Sequence, residues 1–198
     1  MARSEHGGTG LRERKKARTR ALIQARALEL FREQGYKETS IEQIAAAADV
    51  SPSTVFHYFP AKTDLVLYDA LDAPLIASFR AMPKDLSALQ ALRRVIAATF
   101  GSLSGQGLAS QLERERLIRS VPELRMAALD MLTGTFRQVA ELAAEHTGRR
   151  ADDDLVVALS GAIVGIGLAS WLTSDGDPAD MVHRFDVGFK ALESGFPL

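Results

Sequence analysis

Between Ser40 and Pro60 the chain permits little other than two helices joined by a tight turn. Ser40-Ile41-Glu42-Gln43 has the form of a capping box, in which the serine oxygen accepts from the third helical N–H and the glutamine reaches back to the serine N–H. Ile44 and the alanines 45–48 continue that helix. Asp49-Val50 must then turn the chain, and aspartate is one of the few non-glycine residues that tolerate a left-handed conformation. Ser51 is a good N-cap, and Pro52 fits the first helical position, where no N–H is needed. The helix from Pro52 ends at about Phe59, before Pro60, so it is very short.

The flanking sequence is helical too. Ile23, Ala27, Leu30 and Phe31 form one stripe between Leu11 and Gln34, and Gly35 ends it. A helix is predicted from Lys62 to Arg80, kinked or split by Pro74. Further helices are predicted over 85–103, 109–120, 122–147, 152–172 and 178–194, with breaks at the Gly/Ser tract 101–110 and at Val121-Pro122. Strand alternation is scarce, so the fold class is all-α. Leu155 to Leu172 runs eighteen residues without a charge, the lower edge for a membrane span. Acids lie on both sides and no basic flank marks a cytoplasmic end, so the segment reads as a helix buried in a protein interior, with no membrane partner.

Composition narrows the function. The 198 residues hold no cysteine, which excludes disulfides, thiolate metal sites and cysteine nucleophiles and suits a reducing cytoplasm. His6, His57, His146 and His183 are scattered, and no metalloprotease, nucleophile-elbow or phosphate-loop pattern occurs, so neither an enzyme nor a cofactor is expected. Asp152, Asp153 and Asp154 read as acids at a helix start rather than a metal site. The net charge of −1 averages two unlike parts: residues 1–64 carry a net +3 and residues 65–198 a net −4. The basic excess includes Arg12, Arg14, Lys15, Lys16, Arg18 and Arg20, with no apolar run of the secretory kind. Residues 1–18 are predicted to be a flexible basic arm, 19–64 a helix-turn-helix domain and 65–198 a helical body.

A helix-turn-helix needs a small residue where its helices cross, an apolar nucleus that fixes the angle, and short donors and acceptors on the groove-facing helix. Ala45 or Ala48 meets the first need, and Ile44, Val50, Val55 and Phe59 with Phe31 and Leu65 meet the second. Ser51, Ser53, Thr54, His57 and Tyr58 meet the third. The order Ala27, Leu30-Phe31, Gly35-Tyr36, Thr39-Ser40, Ile44-Ala45, Ala48-Asp49-Val50-Ser51, Thr54, Tyr58-Phe59, Lys62 and Leu65, without a gap, closely resembles the N-terminal domain of the tetracycline-repressor (TetR) family. The resemblance implies a three-helix DNA-binding domain followed by a helical ligand-binding and dimerisation domain. It implies that Ser40 and Thr39 touch phosphate, that Pro52, Ser53 and Phe56 face base edges, and that Thr54, His57, Tyr58 and Lys62 hold the backbone. Asp49 and Ser53 stand where the family often has glycine, and Phe56 where it often has tyrosine. Arg12 to Arg20 would lie along phosphates or enter the minor groove.

The resemblance also implies a homodimer on a palindromic double-stranded operator, built from the last two helices of each subunit. Gly161 and Gly165 would permit close approach, and Val182, Phe185, Phe189 and Leu192, followed by Phe196, would supply the seam. Alternatively, these residues only close a monomer core. A small apolar or amphipathic effector would occupy a cavity in the body and release DNA, with the helix 62–80 as lever. Cavity candidates are Phe79, Phe100, Leu103, Met126, Met131, Phe136 and Trp171, all equally suited to plain core, and Arg116 at a pocket mouth or in a solvated charge face. Residues 113–125 resemble regulators that include mycofactocin-linked ones, which implies an acyl-CoA. The competing reading is a regulator controlled by a protein partner, which a filled core would favour and a closed apolar cavity would oppose.

Overall fold

The computed structural model describes residues 7–102, 104–174 and 176–195. These residues form eleven helices and, among them, no strand. Compact packing divides the chain between Tyr68 and Asp69, a few residues beyond the expected boundary at 64.

The first unit holds α1 (Gly7–Gln34), α2 (Ile41–Ala47), α3 (Pro52–Tyr58) and α4 (Asp64–Leu67). Residues 7–18, expected as a flexible arm, are the opening turns of α1. They have exposed side chains from Gly10 onward and no core to rest on, so charge alone suggested an arm while the backbone continues the helix. The nucleus is apolar and buried: Ile23, Ala27 and Phe31 from α1, Ile44 from α2, Val55 from α3, then Phe59, Leu65 and Val66. Each large side chain of this kind contributes about 1.5–3 kcal/mol on burial. Leu65 and Val66, given to the body by sequence, are part of this unit.

The turn between α2 and α3 is a Schellman motif. Val50 N–H donates to Ala45 O at 3.0 Å and Asp49 N–H to Ala46 O at 3.2 Å, which satisfies carbonyls left orphaned at the end of α2. Asp49 is the left-handed residue, with φ of 54°. Ser51 then caps α3 by accepting from Thr54 N–H at 3.1 Å.

The second unit holds α5 (Asp72–Arg80), α6 (Ala88–Gly101), α7 (Gly105–Ser120), α8 (Pro122–Asp130), α9 (Leu132–Thr147), α10 (Asp154–Thr173) and α11 (Pro178–Glu193). The helix expected over 62–80 is two helices, α4 and α5, and the break falls at residues 68–71 rather than at Pro74. Pro74 sits in the first turn of α5, where a missing N–H costs nothing. The helix expected over 122–147 bends at Met131 into α8 and α9. The tract 101–110 is partly helical, because α7 begins at Gly105. A capping box of Ser87 and Gln90, overlooked in the sequence, starts α6.

The core gathers Leu89, Leu92 and Val95 of α6, Ala140 and Ala143 of α9, Val156 and Ile163 of α10, and Phe189 of α11. The α10–α11 crossing depends on Gly188: a Cβ there would lie 2.6 Å from Ile166 Cγ2 and 3.2 Å from its Cγ1. Ile166 is branched at Cβ and has little freedom to retreat. The expected interior burial of α10 holds for one face only: Val156, Ser160, Ile163 and Ser170 are buried, while Leu155 and Leu172 are more than 60% exposed. By length and composition α10 alone could cross a membrane, yet within this fold it packs against α9 and α11.

Gly188→Val is therefore expected to destabilise the protein by about 2 kcal/mol or more through overpacking. Gly134→Ala, in α9 with nothing within 4 Å of the new methyl, is expected to gain up to about 1 kcal/mol from helix propensity. Urea midpoints of the two variants check both signs.

Candidate nucleic-acid interface

The turn and cap that orient α3 decide which of its residues face outward. With Val55 fully buried on one side, Ser51, Pro52, Ser53, Phe56 and His57 stand exposed on the other. Phe56 is 49% exposed, far more than a phenylalanine kept for packing. Ser51 Oγ lies 2.8 Å from both Ser53 Oγ and Thr54 Oγ1, so these three hydroxyls form one chain at the start of α3. Thr54 and Tyr58 are half-buried at the flanks, and the His57 ring meets the Tyr58 ring edge-on at 5.3 Å.

At the start of α2, Ser40 Oγ accepts from Gln43 N–H at 3.2 Å, and Ser40 N–H donates to Gln43 Oε1 at 2.7 Å. One capping bond uses the Ser40 oxygen and the other its backbone N–H, while the Ser40 hydroxyl also hydrogen-bonds the Glu42 carboxylate and, after the backbone N–H of Glu42, helps hold it below the usual range. Thr39 is different. It is 2% exposed, its hydroxyl donates to Gly35 O at 2.7 Å, and it accepts from Gln34 Nε2 at 3.1 Å. It closes the connection between α1 and α2 and presents nothing outward. Lys62 is likewise engaged within the unit: its ammonium donates to Tyr36 O and sits 4.4 Å from the centre of the Tyr36 ring.

Basic charge reaches the exposed face of α3 from α1. Arg12, Lys15, Lys16 and Thr19 line one shallow groove with His57 and Tyr58. Arg20, expected with the basic run from Arg12 to lie on DNA, and Gln24, which the sequence did not single out, organise the head. Gln24 Nε2 donates to Tyr68 O at 2.8 Å and Leu65 O at 3.2 Å, satisfying carbonyls at the end of α4. The Arg20 guanidinium lies 4.8 Å from the Tyr68 ring centre and 5.6 Å from that of Tyr58. Gln24 belongs to a polar stripe of α1 that looks like any solvated helix face, so no local signal sets it apart.

The second unit contains a partly open apolar cavity of about 340 Å³ among α5, α6, α9, α10 and α11. Leu75, Ile96, Phe100, Val139, Trp171 and Phe185 are among its walls. Of the side chains expected to line a pocket, Phe100 and Trp171 do so. Phe79 is buried core instead, against the His146 ring at 5.3 Å. Phe136 packs near Gly161, and Met126 and Met131 are exposed on the bent α8–α9 segment. Arg116 points to solvent and pairs with Glu113 at 3.6 Å. Leu103 lies outside the described residues, as does Phe196. The expected dimer seam also turns inward: Phe189 is 1% exposed, Phe185 faces the cavity, Leu192 packs on the core and Val182 is half-buried. Gly161 and Gly165 do lie on the open face of α10.

Beside the cavity, Asp69 is held by Arg114 at 3.1 Å, by Gln111 Nε2 at 3.0 Å and by Leu71 N–H at 2.9 Å. Burial acts to raise its pKa, but the Arg114 charge and these hydrogen bonds outweigh it and hold the carboxyl below the usual range. Asp72 goes the other way: burial and then the Asp69 charge raise its pKa, with Arg114 opposing. A depressed carboxyl contributes stability above its unfolded pKa and loses it as pH falls through the folded value. Asp69→Asn is accordingly expected to cost about 2 kcal/mol near neutral pH and to flatten the loss of stability below about pH 4. Thermal melts from pH 3 to 7 measure both.

Residues 23–68 match the family model of bacterial regulatory proteins of the tetR family, and residues 86–197 match that of the MftR C-terminal domain. The HTH-type transcriptional regulator TcmR of Streptomyces glaucescens is 33% identical over 202 aligned residues, covering 96% of this chain and 89% of TcmR. MftR of Mycobacterium tuberculosis is 23% identical, covering 85% of this chain and 86% of its own. In fold, the chain is similar to Thermus thermophilus FadR, a repressor solved with lauroyl-CoA, at a TM-score of 0.56 and 23% identity over 90% of this chain and 95% of that one.

Proposed function

The chain belongs to the TetR family of bacterial regulatory proteins and is a DNA-binding transcriptional regulator, and from that premise we propose that it is a repressor binding a palindromic operator as a homodimer until a small molecule enters its cavity. The observation that carries the DNA-binding half is the outward face of α3, with Pro52, Ser53, Phe56 and His57 exposed beside the basic groove of Arg12, Lys15 and Lys16. In this reading Phe56 meets a thymine methyl and Ser53 reaches a base edge. Ser40, Ser51, Thr54, His57 and Tyr58 hold phosphates or the caps behind them, and α1 supplies the counterion-releasing charge. Thr39 and Lys62 act through position, because both are bonded within the head.

The homodimer is supported by α10, whose Val157, Gly161, Gly165 and Leu172 are exposed along one uncharged side of the helix. An exposed uncharged helix side suits a partner helix, and a second copy supplies the two-fold symmetry of a palindrome. The effector is supported by the cavity: a filled core would have favoured control by a protein partner, whereas about 340 Å³ of apolar space suits a small molecule. A coupling of about 1–3 kcal/mol between the two ligands suffices for release. A second reading, an acyl-CoA effector, has the lauroyl-CoA of the Thermus thermophilus relative as its support. Since no basic side chain is among the described wall residues, only the acyl chain would enter.

Selection of bound duplexes from a random pool is expected to enrich a palindrome, and its absence would overturn the dimeric-operator reading. On the enriched site, Phe56→Ala is expected to weaken binding about tenfold to a hundredfold and relax one base position. Lys16→Ala is expected to weaken all sequences alike and to reduce the slope of log K against log salt by about 1. Gly165→Leu is expected to leave helicity intact while converting the dimer to monomer in sedimentation, since Gly165 has nothing of its own chain within 4 Å.

A further inference from the structure

The cavity walls carry an uneven set of charges. Among the described wall residues Asp72, in the first turn of α5, is the one ionisable residue, and no Lys, Arg or His joins it. Among the described residues the charge that opposes its burial is that of Arg114, which is outweighed by burial and by the Asp69 charge. The neighbouring cation, Arg114, is taken up by Asp69 and by Gln111 Oε1 at 2.7 Å. The other polar wall residues, Thr135 and Gln138, are neutral. Phe100, Trp171 and Phe185 contribute three aromatic rings.

We propose that the effector is a cationic amphipath, an aromatic or aliphatic body bearing a protonated amine or quaternary nitrogen whose charge is set against Asp72. This rests on the reading of the cavity as the effector site and names the chemistry that site selects. An anion entering these walls would lose its hydration with no counter-charge and would face Asp72 at short range. A cation would gain the carboxylate and the ring faces of Phe100 and Phe185, which attract positive charge electrostatically, whereas the Trp171 ring already has the Arg119 guanidinium 5.1 Å from its centre. It would also relieve Asp72, whose ionised form is disfavoured by burial and by Asp69 as long as the cavity holds no positive charge. A neutral body of the same shape would collect the apolar contribution alone, so charge becomes the basis of discrimination.

Trp171 is the single tryptophan of the chain and lines the cavity, so quenching of its fluorescence reports occupancy. The full-length protein, free of DNA, is titrated at neutral pH with acridine (neutral), 9-aminoacridine (cationic), acridine-9-carboxylate (anionic) and lauroyl-CoA. The expected result is a Kd for 9-aminoacridine at least tenfold below that for acridine, with the carboxylate weaker than either. Asp72→Asn should erase the advantage of the cation without changing acridine binding, and Asp72→Glu should keep it; circular dichroism verifies that both variants fold. Equal binding of the three acridines, a preference that survives Asp72→Asn, or tightest binding of the carboxylate or lauroyl-CoA overturns the cation assignment and leaves the cavity as an effector site. If no probe quenches Trp171 at millimolar concentration, and the cavity-filling Val139→Phe changes nothing, the effector-site reading falls with it.

Discussion

The body of the protein is organised by one constraint: α10 has eighteen consecutive residues without a charge, so none of its faces is satisfied by water alone. The fold answers with three different surroundings. Val156 and Ile163 enter the core with α6, α9 and α11, where their burial is ordinary close packing. Val164, Gly167, Leu168 and Trp171 look into space that no side chain fills. Leu155, Gly161, Gly165 and Leu172 remain open. Gly188 of α11 makes the arrangement possible by letting the two helix backbones approach over Ile166. Core, cavity and open face are thus sectors of the same helix, and a substitution in one is felt by the others through its position and tilt.

The reading head solves a different problem, which is to expose a rigid polar surface on a helix of only seven residues. Such a helix has no stability of its own. Its orientation comes from Val55 and Phe59 below it and from the Asp49 turn and Ser51 cap before it. Holding the head together consumes polar groups that looked available for DNA. Lys62 and Thr39 tie the α1–α2 connection down, Gln24 and Arg20 secure the end of α4, and what remains outward is the short row from Ser51 to His57 with the basic flank of α1.

What could be read from residues alone follows from where the controlling interaction lies. The capping box at Ser40, the left-handed Asp49 and the Ser51-Pro52 start are local, and each takes the geometry its neighbours dictate. The break after α4 was misplaced because a proline in a first turn and a proline that ends a helix look alike without knowledge of where the helix begins. The cavity was poorly legible for a deeper reason. Phe79 and Phe100 have the same chemistry, and only the packing of five helices decides that one fills core while the other borders empty space. The i, i+3, i+4 stripe of α11 has the same ambiguity: Phe189 and Leu192 form a proper seam, but its partner helices belong to the same chain. The outward counterpart on α10 offered only small and aliphatic residues, which periodicity could not orient because the helix is apolar all round.

Charge placement connects these levels. The acidic surplus of the body is mostly solvated or paired at the surface, as in Arg150–Asp152 and Arg184–Asp180, and such pairs contribute little to stability. Asp69 and Asp72 stand apart because they are the acids at the break between α4 and α5: burial acts to raise both, but Arg114 and its hydrogen bonds hold Asp69 low while Asp72 stays raised. Asp69 pairs with Arg114 at 3.1 Å, so the Arg114 charge reaches Asp72 only in part and does not offset burial and the Asp69 charge. An apolar cavity with a single under-compensated carboxylate is an unfavourable feature for a protein that needed only a stable core. Replacing Asp72 by a neutral residue would ease folding, so its presence at the wall is best understood as the part of the cavity that has to meet something.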